Sequence, residues 1–171
     1  GLFRAPVSDL VGEVFQIAVA HGSVHPAFWI YYSGAFATGF SFLSGWRHGA
    51  WLGTAFAAAA FASVCVSPAG PLANFFLFLI GLIGFVVSIY SISYIHSGRQ
   101  GWYWFFLLLT FGSLAGIVST NNVASMFAYW ELMTFASYFL VVYENNARAY
   151  AAGLKYYVMC AGGAIFMLPG L

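Results

Sequence analysis

Charged residues are scarce in this chain: Asp, Glu, Lys and Arg make up 5% of its 171 residues, whereas hydrophobic residues make up 63%. A soluble globular domain carries about 25% charged residues, so the composition excludes that class. The net charge is +1 and no basic tract is present, which argues against a nucleic-acid partner. The long apolar runs indicate helices that span a lipid bilayer, not the strands of a barrel.

Cysteine and histidine are also few, with two and four residues. Cys65 and Cys160 lie in separate apolar runs, which predicts free buried thiols and no disulfide framework. His21 and His25 have the four-residue spacing of a helical metal-binding pair, but the neighbouring Gly and Pro indicate a turn, and no third ligand is near. The sequence therefore predicts no metal site.

Six apolar runs, separated by breaks rich in Gly, Pro, Asn or Ser, predict about six transmembrane helices. The predicted spans are residues 26–43, 50–66, 72–95, 102–119, 123–143 and 149–171. Residues 1–22 differ, because polar residues alternate with apolar ones at helical spacing, which predicts an amphipathic helix at the membrane interface. We expect an all-α integral membrane protein with three regions: 1–22, the first two transmembrane helices in 26–66, and helices three to six in 72–171.

Basic residues in the loops predict the orientation of the chain. Arg47, Arg99 and Arg148 follow the first, third and fifth spans, while the loops after the second and fourth spans contain no Lys or Arg. The positive-inside rule assigns the three basic loops to the cytoplasm. Arg4, in the amphipathic segment, does not fit this assignment.

One carboxylate, Glu131, lies near the middle of the fifth apolar run. A charged group at that depth costs at least about 2.5–3.5 kcal/mol, so it indicates an ion or proton path. Thr134 and Tyr138 follow at helical spacing and share a face with Glu131. We predict that these hydroxyls and the carboxylate support a chain of water molecules.

A second charged group, Lys155, lies near the start of the sixth span. The two helices are antiparallel, and at a rise of about 1.5 Å per residue the two charges are offset by roughly 9 Å along the membrane. We therefore expect no tight salt bridge, and predict that water or a lysine on another helix faces Glu131. The alternative for Lys155 is a lysine that extends its ammonium group to the lipid headgroups.

The remaining histidines carry two further hypotheses. His48 and His96 lie at the cytoplasmic ends of the first and third spans, where they are either interfacial residues or proton-uptake groups. A haem- or pigment-binding anchor is a less favoured alternative. Axial ligands of such groups lie well inside facing helices, whereas all four histidines fall at span ends or in loops.

The second half of the chain resembles a known family. The segments YSISYIHSG, STNN, WELMTFASYFLVVYE and AAGLKYYVMCAGGAIFM are similar to the antiporter-like membrane subunits of respiratory complex I, of Mrp cation/proton antiporters and of group 4 energy-converting hydrogenases. The resemblance implies a place in a larger helical bundle. It also implies that Glu131 is the fifth-helix glutamate of a proton channel and Lys155 an auxiliary lysine of the sixth helix.

The function implied by this resemblance is proton or cation translocation in the membrane arm of a complex I-like or hydrogenase-type redox complex. A buried Glu/Lys relay would couple transport to electron transfer in partner subunits. The implied partners are other membrane subunits, a peripheral redox arm and the lipids of a bacterial or archaeal membrane, with no cofactor in this chain. Because the chain carries only the first helices of the half-channel, we expect it to be the front part of a longer subunit. The alternative is a truncated structural adaptor without its own channel.

Overall fold

The computed structural model describes residues 25–43, 49–66, 70–95, 100–167 and 169. These residues form six helices and, within the described ranges, no strand, so the all-helical prediction is confirmed. The helices are α1 Pro26–Leu43, α2 Gly49–Val66, α3 Pro71–Tyr94, α4 Gln100–Ser119, α5 Val123–Val141 and α6 Ala147–Met167. The predicted amphipathic segment 1–22 lies outside the described residues, as do Arg47, Arg99 and His96.

The boundaries of α5 and α6 depend on asparagine side chains. Asn122 precedes α5, and its Oδ1 accepts the backbone N–H groups of Ala124 and Ser125 at 2.9 and 3.3 Å. At the other end α5 stops at Val141, two residues before the predicted end of the span. Asn145 adopts a left-handed backbone conformation with φ of 54°, and Asn146 Oδ1 then accepts the N–H of Ala149 at 2.7 Å. This cap starts α6 two residues earlier than predicted.

Helix α4 forms the centre of the bundle. It contacts α1, α2, α3 and α5, whereas α6 packs against α5 at the edge. Eleven of its residues are buried, among them Trp104, Leu108 and Phe111. Helix α5, which carries the candidate carboxylate, therefore packs against both the central helix α4 and the outermost helix α6.

The outer surface of the bundle is apolar. Helices α3 and α4 are long and apolar enough to cross a membrane. In α2 the apolar stretch Ala50–Val66 is shorter. Large apolar side chains on α3, such as Phe75, Ile83 and Val86, are more than half exposed. Such a surface suits contact with lipid, so the architecture is consistent with a membrane helical bundle.

Gly112 of α4 permits close packing of α1. A Cβ atom at this position would lie 2.7 Å from Cδ2 of Tyr32 and 3.1 Å from Cβ of Tyr31. We expect Gly112→Ala to lower the free energy of unfolding. Overpacking costs about 1–3 kcal/mol, and with three atoms within 3.1 Å of the added Cβ we expect this cost to exceed the gain of about 1 kcal/mol from the better helix former. Thermal unfolding of the purified protein in detergent measures this change.

Gly162 of α6 provides the matched control. A Cβ atom there would meet no atom within 4 Å, so Gly162→Ala should be neutral or stabilising. Equal stability changes for the two alanine variants would contradict the close packing of α1 on α4.

Candidate functional site

Glu131 is the single acidic residue within the six described helices. It is partly buried on α5, and its Oε1 atom is fully buried with no hydrogen-bond partner among the described residues. An unpaired buried polar atom is costly, and a buried charge is more so. The Oε1 atom is therefore suited to bind a proton, a water molecule or a cation.

Thr134 and Tyr138 lie along the same side of α5 as Glu131, at steps of three and four residues. Thr134 is 2% exposed, and its Oγ1 donates to the carbonyl oxygen of Trp130 at 3.1 Å. The hydroxyl oxygen of Thr134 keeps lone pairs that can accept a further hydrogen bond. Tyr138 packs against α6, where its ring meets the ring of Tyr157 with centroids 5.7 Å apart.

A pair of hydroxyl groups joins α5 to α6. Ser137 Oγ lies 2.7 Å from the Tyr156 hydroxyl and also 2.8 and 3.0 Å from the carbonyl oxygens of Met133 and Thr134. The single proton of the serine hydroxyl serves its own helix, so Tyr156 donates to Ser137. Sequence reasoning missed both residues, although a hydroxyl on each of two successive helices was a visible signal.

Close approach of the backbones supports this contact. Gly153 of α6 is buried, and a Cβ atom on it would lie 2.8 Å from Cγ1 of Val142 and 3.2 Å from Cε2 of Tyr138. The absent side chain lets α6 lie close enough to α5 for a direct hydrogen bond between short polar groups. The seam between the two helices is therefore specified by Gly153, Tyr156 and Ser137.

Lys155 lies on the other side of α6. Its side chain is exposed, and no ion pair joins it to Glu131 within the described part of the chain. Gly162, predicted to share a face with Lys155, has open space beyond its Cα atom, whereas Gly153 faces α5. The structure thus places Glu131 at the bundle and Lys155 on its outer surface, and does not bring the two together.

The other predicted residues that the structure describes lie apart from Glu131 in the sequence and form no further site with it. His25 is buried before α1, and its Nδ1 accepts the backbone N–H of Ala27 at 3.1 Å. Arg148 is exposed near the start of α6. Within the described ranges no three His, Cys, Asp or Glu side chains come together as a metal site would require.

Comparison with known proteins gives one consistent result. No protein-family profile matches the chain. Over 99 residues, 56% of its length, the chain is 34% identical to the Na(+)/H(+) antiporter subunit A1 of Staphylococcus aureus, in strains including bovine RF122 / ET3-1, JH9 and Newman. The matched stretch spans only 12% of the length of these relatives.

This homology confirms the resemblance to antiporter-like subunits that the motifs predicted. Together with the apolar helices, it indicates an integral membrane protein. The relatives are named as antiporter subunits, with no mention of a redox complex.

The hydroxyl pair between α5 and α6 has a measurable energy. We expect Tyr156→Phe and Ser137→Ala each to lower stability, and the double variant to lose less than the sum, because the two changes remove one shared hydrogen bond. Interhelical hydrogen bonds of this kind contribute about 0.6 kcal/mol on average. Unfolding in detergent micelles measures the coupling.

Tyr157→Phe serves as the control, since Tyr157 is 39% exposed on the same helix. This variant should unfold like the unmodified protein. Strict additivity of the Tyr156 and Ser137 changes would mean that the hydroxyl pair does not form.

Proposed function

We propose that this chain belongs to a proton- or cation-translocating membrane subunit and that Glu131 is its ion-exchanging group. The observation that carries the proposal is the buried Oε1 atom of Glu131, which has no partner among the described residues. Homology to a Na(+)/H(+) antiporter subunit supports the ion-transport function. The proposed ion exchange uses the chemistry of one carboxyl group in an apolar helix.

The carboxyl group of Glu131 needs different partners in its protonated and in its ionised state. A protonated carboxyl needs only ordinary hydrogen bonds, whereas a carboxylate in an apolar environment needs water, a cation or a positively charged side chain. Exchange between these two states moves one proton, or exchanges a proton for a cation. Thr134, with an acceptor oxygen three residues away, is the nearest predicted support for a water or cation at this site.

Lys155 is the second group of the proposed relay. Its exposed position on α6 is unsuited to direct proton transfer from Glu131. We propose that the relay runs through water or through a basic group on a further helix that covers the outer side of α6. His96, which lies outside the described residues, is proposed as a proton-uptake group at the cytoplasmic end.

The membrane topology is also part of the proposal. All six helices would cross a bacterial cytoplasmic membrane, with the loops that carry Arg47, Arg99 and Arg148 on the cytoplasmic side. The exposed apolar side chains of the bundle support contact with lipid. An exposed Arg148 near the start of α6 is compatible with a cytoplasmic loop.

The partners follow from the same homology. We propose that the chain works beside other membrane subunits, because its relatives are named as antiporter subunits. A peripheral redox arm, as in complex I-like or hydrogenase-type complexes, would add electron-transfer groups that belong to those partners. The second candidate function is a structural adaptor, which would hold neighbouring subunits without using Glu131.

Glu131→Gln tests the proposed function. The amide keeps the size of the side chain but cannot release a proton, so we expect transport to fall by about tenfold or more while the complex assembles normally. The measurement is the Na⁺-induced or redox-driven pH change in inside-out membrane vesicles that contain the complete complex. The two driving conditions also distinguish an antiporter from a redox-coupled pump.

Glu144→Gln is the matched control. Glu144 lies in the exposed turn after α5, where its Oε2 accepts a hydrogen bond from Asn146 at 3.0 Å. This variant should transport normally. Full transport by the Glu131 variant would exclude the proposed role, and would favour the structural adaptor if the complex disassembled without the chain.

A further inference from the structure

Helix α6 leaves most of its surface uncovered. Within the described part of the chain it packs closely against α5 alone, and its buried residues are Ala149, Gly153 and Ala164. By composition, α6 is not among the described helices that are apolar enough to cross a membrane by themselves. The uncovered surface therefore suits a protein neighbour better than it suits lipid.

The side of α6 away from Gly153 carries a line of residues at the spacing of a helix–helix seam. They follow one another at steps of four, three, four and three residues, which is the spacing along the contact of two packed helices. Val158 is 60% exposed, and a Cβ atom on Gly162 would meet no atom within 4 Å. We call this line the outer seam of α6, and its residues are Ala151, Lys155, Val158, Gly162 and Ile165.

Lys155 is the residue of the outer seam that most needs a partner. Its side chain is exposed, and no ion pair joins it to a described residue. It is eight residues beyond Ala147, the first residue of α6, so its Cα atom lies roughly 12 Å along the helix. A lysine side chain extends about 6 Å, so the ammonium group stops short of that helix end. A charged group at this depth in a membrane needs a group of opposite charge beside it.

Neither a second copy of the chain nor a lipid fits this requirement well. Copies insert into a membrane with the same orientation, so a symmetric pair across the outer seam would place one Lys155 against the other. An acidic phospholipid carries its charge at the depth of the headgroups, which is closer to Arg148 at the start of α6. The small residues Ala151 and Gly162 favour the close approach of another helix.

We propose that the outer seam of α6 binds one transmembrane helix that carries an Asp or Glu residue at the depth of Lys155. The carboxylate pairs with the ammonium group of Lys155, while Ala151 and Gly162 admit the backbone of the partner helix. A single charged pair in an apolar interface also fixes the register of the two helices. This inference rests on the proposed membrane topology and is independent of ion exchange at Glu131.

Removal of the charge at Lys155 distinguishes a helix from lipid by the direction of its effect. Lys155→Met leaves the carboxylate of a partner helix unpaired, whereas on a lipid-facing surface it removes a charge from hydrocarbon. We expect this variant to lower the midpoint of thermal unfolding of the chain, measured in the complete complex, by at least about 3 °C.

Lys155→Arg is the matched control, because it keeps the positive charge, and it should retain most of the original midpoint. An unchanged or raised midpoint for Lys155→Met would overturn the proposal in favour of lipid. Equal losses in the two variants would also overturn it, since the charge would then not be the recognised feature. Neither measurement depends on transport, so a failure of the proposed role of Glu131 would leave this result unaffected.

Chemical cross-linking identifies the partner without a variant that has to fold. Lys155 is the only lysine in the sequence, so a product of its amine reports this position alone. Dicyclohexylcarbodiimide enters membranes and condenses an amine with an adjacent carboxylate to an amide. In membranes with the complete complex, mass spectrometry should find Lys155 joined to an Asp or Glu of another apolar helix. Lys155 recovered only as a free amine, joined to lipid or joined to Glu131 would overturn the proposal.

Discussion

The structure depends on one constraint: a polar group inside an apolar bundle must find its partner within the protein. Most hydroxyls meet it locally. Thr38, Ser88, Ser113 and Thr134 each donate to a carbonyl oxygen one turn earlier in their own helix, at 2.7–3.1 Å. Such bonds use the hydroxyl proton, whereas the hydroxyl oxygen can still accept a further hydrogen bond. Against this background, the few described polar atoms without partners are the informative ones.

Glycine and aromatic residues determine how closely the helices approach. The central helix α4 accepts the ring of Tyr32 at Gly112, and α6 meets α5 at Gly153. In an apolar solvent, association of helices relies on van der Waals packing and on hydrogen bonds between them. Both occur at the α5–α6 seam, where Tyr156 donates to Ser137. Glu131 lies on the same helix as this seam, six residues before Ser137.

Homology to an antiporter subunit and the chemistry of Glu131 lead to the same type of function by independent routes. The homology concerns part of the chain and a small part of its relatives, so it supports ion transport without assigning the ion. The proposed function assigns the exchange to Glu131, because a carboxyl group in an apolar helix can exchange a proton for a cation. Lys155 is less directly connected to the proposed ion exchange, since its side chain is exposed on the side of α6 that faces away from α5.

The sequence by itself determined the helical class, the presence of six helices, and the position of Glu131 near the middle of the fifth; the helix boundaries agree to within two residues except at the end of α6, which stops at Met167. Long apolar runs and asparagine caps are local signals, and local signals can be interpreted without neighbours. Only the tertiary structure decided which side of α6 faces α5. Two sides of that helix carry small residues, and periodicity cannot tell the side of Gly153 from the side of Gly162, because the choice depends on which neighbour provides a matching surface. The unpaired hydroxyl of Tyr31 was equally invisible in the sequence, since a hydroxyl lacks a partner only with respect to the other helices around it.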